Sequence, residues 1–145
     1  MARPIEIDRE QAFRSARDLF WRRGYRATSL SDLLDATAMG KGSFYAAFQS
    51  KEALFRATLA WYRDRAAAAH RRIRESKRGL SALREVLEST LLEVSSEERR
   101  RGCLLVNSVL ELEGVEPELH EIATRYLSQL EEQCTSYLDE ARTLG

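Results

Sequence analysis

The 145-residue chain predicts an all-α fold, and three features carry that prediction. Only two prolines and seven glycines interrupt it, while Ala, Leu, Glu and Arg, all good helix formers, are abundant. Apolar residues return every three or four positions, and alternating β-branched runs are missing. Ser, Asp and Gly stand where helices would begin and end. A hydrophobic fraction of 43% is ordinary for a globular core. The length suits one domain, or a small head fused to a small body.

Met1–Ile7, with Arg3 and Pro4, reads as a loose arm. Asp8 is a good N-cap with Gln11 three residues on, and Ala12, Phe13, Ala16, Leu19 and Phe20 define one apolar face. Arg22 and Arg23 favour a helix C-terminus and Gly24 a C′ position, so the first helix spans Arg9–Arg23. After a short connection, Ser29 caps a second helix and Asp32 completes a capping box. Leu30, Leu33 and Leu34 give that helix its face, over Leu30–Thr37. Ala38-Met39-Gly40 breaks it. Lys41–Phe48 is a third helix, with Phe44 and Phe48 one turn apart and inward. Ser50 caps a fourth, with Glu52 in its first turn.

Two helices of about eight residues joined by three match helix-turn-helix dimensions. The third helix opens with Lys41, Gly42 and Ser43, whose backbone amides and small side chains can approach DNA closely. Recognition helices dock through such N-terminal residues. With Phe44 and Phe48 packed inward, Lys41, Ser43, Tyr45, Ala46 and Ala47 are left outward. Thr28 and Ser29 offer amides and hydroxyls that suit a phosphate. The blander reading makes Lys41 a solvated charge and Tyr45 a packing residue.

Phe20, Gly24, Tyr25, Thr28, Ser29 and Leu30, then Lys41-Gly42-Ser43-Phe44-Tyr45, Phe48, and Ser50-Lys51-Glu52-Ala53-Leu54 carry a family pattern without gaps. Residues 8–56 resemble the DNA-binding head of the tetracycline-repressor (TetR/AcrR) family of bacterial transcription regulators. The resemblance implies a homodimer on a palindromic double-stranded operator, a repressor or activator, released by a small-molecule effector. It implies phosphate contacts by Thr28, Tyr45 and Lys51, with Lys41, Gly42, Ser43, Ala46 and Ala47 in or beside the major groove. Two positions depart from the family pattern. Ala38 stands where the turn usually has glycine; if φ is positive there, alanine costs roughly 1 kcal/mol. Ala46 and Ala47 replace a larger pair, so bases are read with fewer polar groups, although thymine methyls remain within their chemistry.

The fourth helix is long, reaching about Lys77 through Leu54, Phe55, Leu59, Tyr62, Ala66, Ala69 and Ile73, and by analogy links head to body. Its basic end, Arg71, Arg72, Arg74, Lys77 and Arg78, reads as a solvated face. A fifth helix spans Ser81 to about Ser95. Glu97–Arg101 is a charged loop or helix start, ended by Gly102. Cys103–Leu112 is apolar on most sides and reads as a central buried helix. Asn107 within it is either a satisfied core residue or a ligand contact. A last helix follows Pro117, with Leu119, Ile122, Tyr126, Leu127, Leu130, Cys134, Tyr137 and Leu138 at helical spacing; His120 reads as exposed. The expected domains are a head with the start of the linker, residues 6–65, and a regulatory body, 66–145. The expected effector pocket involves Tyr62, Leu104, Asn107, Ser108, Glu111 and Tyr126. Family members normally continue into two more helices that pair between subunits. Their absence before Gly145 is read as a fragment, or as dimerisation through other surfaces.

Residues 1–56 hold ten Lys/Arg and seven Asp/Glu, a net of +3, and residues 57–145 hold thirteen and sixteen, a net of −3. A mildly basic head on an acidic body suits contact with a polyanion through one end. Cys103 and Cys134 read as small hydrophobes in a reducing cytosol rather than as a disulfide. With two histidines and no paired Cys/His spacing, neither metal nor cofactor is expected. No signal peptide and no membrane-length apolar run is found, which points to the cytoplasm. No nucleophile with a base and no phosphate-cradling glycine loop suggests an enzyme. The remaining alternative is a non-enzymatic helical interaction module without DNA binding.

Overall fold

The computed structural model describes residues 8–92 and 94–144; the arm read over Met1–Ile7 lies outside them. Among the described residues there are eight helices and no strand. They are α1 (Arg9–Arg23), α2 (Leu30–Thr37), α3 (Lys41–Phe48), α4 (Lys51–Ser76), α5 (Gly79–Leu91), α6 (Ser96–Arg101), α7 (Leu104–Leu112) and α8 (Pro117–Leu144). The chain divides into two compact units, a head ending at Thr58 and a body beginning at Leu59. The boundary read from sequence, between 65 and 66, lies about two turns further along α4.

The head is built on the apolar face of α1, where Ala12, Ala16, Leu19, Phe20 and Trp21 are buried. Phe55 of α4 meets Phe20 edge-on at 5.0 Å and Tyr25 at 5.0 Å. Such ring pairs each add about 0.5–1.5 kcal/mol beyond the area they bury. Leu33, Met39, Phe44 and Phe48 complete the core. Helix ends follow the punctuation of the sequence. The Asp8 carboxylate accepts from the Glu10 amide at 3.0 Å, one residue before the predicted Gln11 position. Gly24 takes φ 84° and donates its amide to the Phe20 carbonyl at 2.7 Å. Ser29 and Asp32 form the capping box in full.

In the body, α8 packs against both α5 and α7. Ala82, Val86 and Tyr137 form a buried cluster, with Ile73, Leu83 and Cys134 against it. α5 starts two residues earlier than expected, at Gly79, and ends at Leu91. Gly79, at φ 51°, is the first residue of the helix. Its amide donates to Glu140 Oε2 at 2.9 Å. α6 begins at a Ser95–Glu98 capping box and ends at Gly102. α7 is not buried all round: Leu104, Leu105, Ser108 and Leu112 are buried, but Leu110 is 72% exposed. Its apolar composition concealed an ordinary one-sided helix. The two cysteines are separate, half-buried thiols.

Candidate functional site

α3 separates anchoring from display. Phe44 and Phe48 are buried with rings 5.5 Å apart. Lys41, Gly42, Ser43, Tyr45 and Ala46 are exposed, Tyr45 by 43%, and Ala47 is half-buried. Gly40, the N-cap, is extended (φ −71°, ψ 159°) and has no side chain to bond the first-turn amides. The amides of Lys41, Gly42 and Ser43 also lack intrahelical acceptors. A Cβ placed on Gly40 or Gly42 would meet nothing within 4 Å, and neither glycine has positive φ. Nothing within the described chain therefore requires glycine at either position.

The turn before α3 is strained where the sequence departs from the family pattern. Ala38 lies at φ 53°, ψ 29°, in the left-handed region, with its amide directed at the carbonyls of Leu34 and Asp35. At the other end, Gln49 closes α3 at φ 66°. There Arg9, from the start of α1, donates through Nε and Nη2 to the Ala47 carbonyl, each at 3.3 Å. The same guanidinium lies 5.6 Å from the Phe48 ring centre. Sequence reasoning gave Arg9 no role beyond starting α1. The contact joins residues 38 apart, and no local pattern announces it.

The expected phosphate anchors divide in the structure. Thr28 is buried, its hydroxyl donating to the Gly24 carbonyl at 2.7 Å and its amide to Tyr25 at 3.3 Å. The expectation of an outward Thr28 hydroxyl is thus corrected, because that hydroxyl closes the turn between α1 and α2. Ser29 is exposed, but its hydroxyl donates to Asp32 Oδ2 at 2.7 Å and accepts the Asp32 amide at 3.1 Å. The Ser29 hydroxyl and amide, aided by Arg23, hold the Asp32 carboxyl below its usual range. The amides of Leu30 and Ser31, in the first turn of α2, have no intrahelical acceptor. Lys51 is half-buried, with its ammonium 4.2 Å from the Tyr25 ring centre.

Residues 13–58 match the family model of the bacterial regulatory proteins of the tetR family. Over 140 residues the chain is 30% identical to the HTH-type transcriptional repressor BdcR of Escherichia coli K12, covering 94% of this chain and 68% of that one. The TetR-family transcriptional regulator CifR, solved as a cysteine mutant complexed with 26-bp double-strand operator DNA, superposes with a TM-score of 0.69. The two are 30% identical, over 95% of this chain and 84% of CifR. The chain belongs to the tetR family. A further relative by sequence is the HTH-type transcriptional repressor ComR of Escherichia coli K12. It is 41% identical over 108 residues, 73% of this chain but only 51% of ComR. The chain thus spans about half the length of that relative. All three relatives are described as transcriptional regulators, in accord with the non-enzymatic reading.

The residues expected to line an effector pocket in this tetR-family body are mostly engaged with the body itself. Asn107 is exposed, and its amide donates to the Arg101 carbonyl at 2.8 Å, tying α7 to the end of α6. It is therefore not the buried residue expected from the sequence. Ser108 is buried with its hydroxyl on the Leu104 carbonyl at 2.7 Å. Burial, and after it the neighbouring Cys103, push the Tyr62 hydroxyl far above the tyrosine range. Leu104 is core. Tyr126 is half-buried beneath the Arg63 guanidinium, 4.4 Å away, and Glu111 is half-buried on α7. Among the described residues no three His, Cys, Asp or Glu side chains gather as a metal site requires. No helix there is long and apolar enough to cross a membrane.

Proposed function

We propose that this chain is a cytoplasmic DNA-binding transcriptional repressor that binds a palindromic double-stranded operator as a homodimer and is released by a small-molecule effector. The observation that carries the DNA-binding part is the outer face of α3. Free first-turn amides, Lys41, Ser43 and Tyr45 sit beside two glycines that no contact within the chain demands. An outside surface that must come close to the backbone is the physical reason for glycine there. The CifR complex with operator DNA supports the same reading.

In this reading Lys41, Gly42, Ser43, Ala46 and Ala47 face the major groove, with phosphates held by Tyr45, Lys51, Ser29 and the first-turn amides of α2. Thr28 contributes by fixing the turn that presents them. Exposed Ala46 and half-buried Ala47 can supply apolar contact to thymine methyls but no hydrogen bonds. Fluorescence anisotropy with the DNA flanking the gene tests the assignment. Lys41→Ala and Tyr45→Phe should each weaken binding by roughly tenfold, the scale of one charge-assisted contact. Unchanged affinity in both variants would falsify it.

The effector part rests on α4, a single 26-residue helix that closes the head with Leu54 and Phe55 and continues into the body. A ligand that alters the course of α4 in the body acts on the head through covalent continuity. Linkage then requires reciprocity: any compound that weakens operator binding must itself bind less tightly when operator is present, by the same factor. Calorimetric titration with and without DNA measures both factors.

A further inference from the structure

The turn that ends α3 is strained and is held from outside the helix. Gln49 lies at φ 66°, ψ −52°, and the Ser50 amide donates across it to the Phe48 carbonyl at 2.8 Å. A hydrogen bond spanning one residue in that conformation makes the γ-turn of the rare, strained kind. Gln49 is exposed, and such a conformation persists only where its surroundings over-determine it. The Gln49 amide, donating to the Tyr45 carbonyl at 2.9 Å, supplies part of that hold. The Ala47 carbonyl is also among the last four of α3, beyond the reach of the helix's own amides. Arg9 takes it with Nε and Nη2, each at 3.3 Å, and lays its guanidinium 5.6 Å from the Phe48 ring centre.

This placement serves α3 at the expense of α1. A cation in the first turn of a helix opposes the macrodipole, whereas one over a helix C-terminus is favoured by it. Arg9 is the first residue of α1, yet its charge is delivered to the end of α3. Its planar fork gives the hold a direction that a point charge lacks. Two residues beyond Gln49, Lys51 opens α4, so the same turn sets both the line of α3 and the place of Lys51. We infer that Arg9 is a positioning residue for DNA recognition. From α1 it braces the γ-turn at Gln49 and so fixes the tilt at which Ala46 and Ala47 meet the groove. Apolar contact with a base demands close fit, so a small rotation of α3 removes it and leaves the attraction of phosphates intact. This inference rests on the DNA-binding reading of α3.

Fluorescence anisotropy over a salt series tests it, with a duplex from the DNA flanking the gene and a scrambled duplex of the same length. The parent chain should prefer the flanking duplex. Arg9→Ala, at unchanged helical circular dichroism, should weaken that complex by about tenfold and leave the scrambled one as it was. The salt slope should also stay the same, because no phosphate contact is lost. A direct phosphate contact would instead weaken both complexes alike and lower the slope by about one. Arg9→Lys keeps the charge without the fork and should restore little of the loss. Gln49→Gly relieves the turn, so in that background Arg9→Ala should cost only about threefold. Unchanged affinity in Arg9→Ala, a lowered slope, full rescue by Arg9→Lys or an undiminished loss in the Gln49→Gly background would each overturn the positioning role alone. A parent chain without preference between the duplexes would overturn the DNA-binding reading, and this inference with it.

Discussion

Ala38 is the clearest residue-scale test of how this head is held. It is exposed and left-handed, at φ 53°, where an L side chain costs about 1–2 kcal/mol and glycine nothing. Allowing for the extra freedom of glycine in the unfolded chain, Ala38→Gly should stabilise the head by up to about 1 kcal/mol, read as a higher urea midpoint at constant m. Gly42 predicts the opposite separation. Gly42→Ala should leave the midpoint unchanged or slightly higher, because the added methyl meets open space. The same change should weaken DNA binding by roughly tenfold if the backbone must approach a base or phosphate. Equal affinity of the two proteins would remove the reason given for that glycine. Both residues were legible in the sequence, Ala38 from its place after Thr37 and Gly42 from its place in the Lys41–Ser43 start. The direction of the Thr28 hydroxyl was not. Whether a threonine between two helices points in or out is decided by the neighbouring carbonyl of Gly24.

At the scale of elements, α1 and α2 begin where their capping residues dictate, because caps act over three or four residues and are visible in a short window. α7 was misjudged for a related reason. Composition reports how apolar a helix is, and only its packing against α8 decides which of Leu105 and Leu110 is covered. The joining of α4 to α8 was likewise invisible, since His70 and Tyr137 are 67 residues apart. Their rings stack at 5.6 Å, with His70 Nδ1 3.0 Å from the Tyr137 oxygen. Burial, and after it the charge of Arg74, hold His70 below the ordinary histidine value of 6.5. The unfolded chain therefore binds this proton more readily than the folded one. Stability from His70 is complete above pH 6.5 and is lost as the pH falls below it. Glu140, held low chiefly by the Gly79 amide, titrates in a more acidic window. The melting temperature should thus decline between pH 7 and 5 in the parent protein and less so in His70→Gln. Parallel profiles for the two would sink this account of the joint.

For the whole molecule, the net charge of zero conceals the division of +3 and −3 between its two ends. If the head engages operator DNA through phosphates, affinity must fall with salt despite the neutral total. Six phosphate contacts across a dimer would cost roughly a thousandfold between 50 and 200 mM salt. A flat salt profile in the anisotropy titration would argue for the interaction-module alternative. The sharing of α4 between the two units also governs how such regulators can be recombined. A head transplanted onto another body must carry the chain through Thr58, or the cluster of Phe20, Tyr25 and Phe55 loses one of its three rings. The seam of a chimaera is better placed downstream, in Ala66–Ala69, where four consecutive side chains are single methyl groups. There a junction preserves helix propensity and leaves the least shape to be matched.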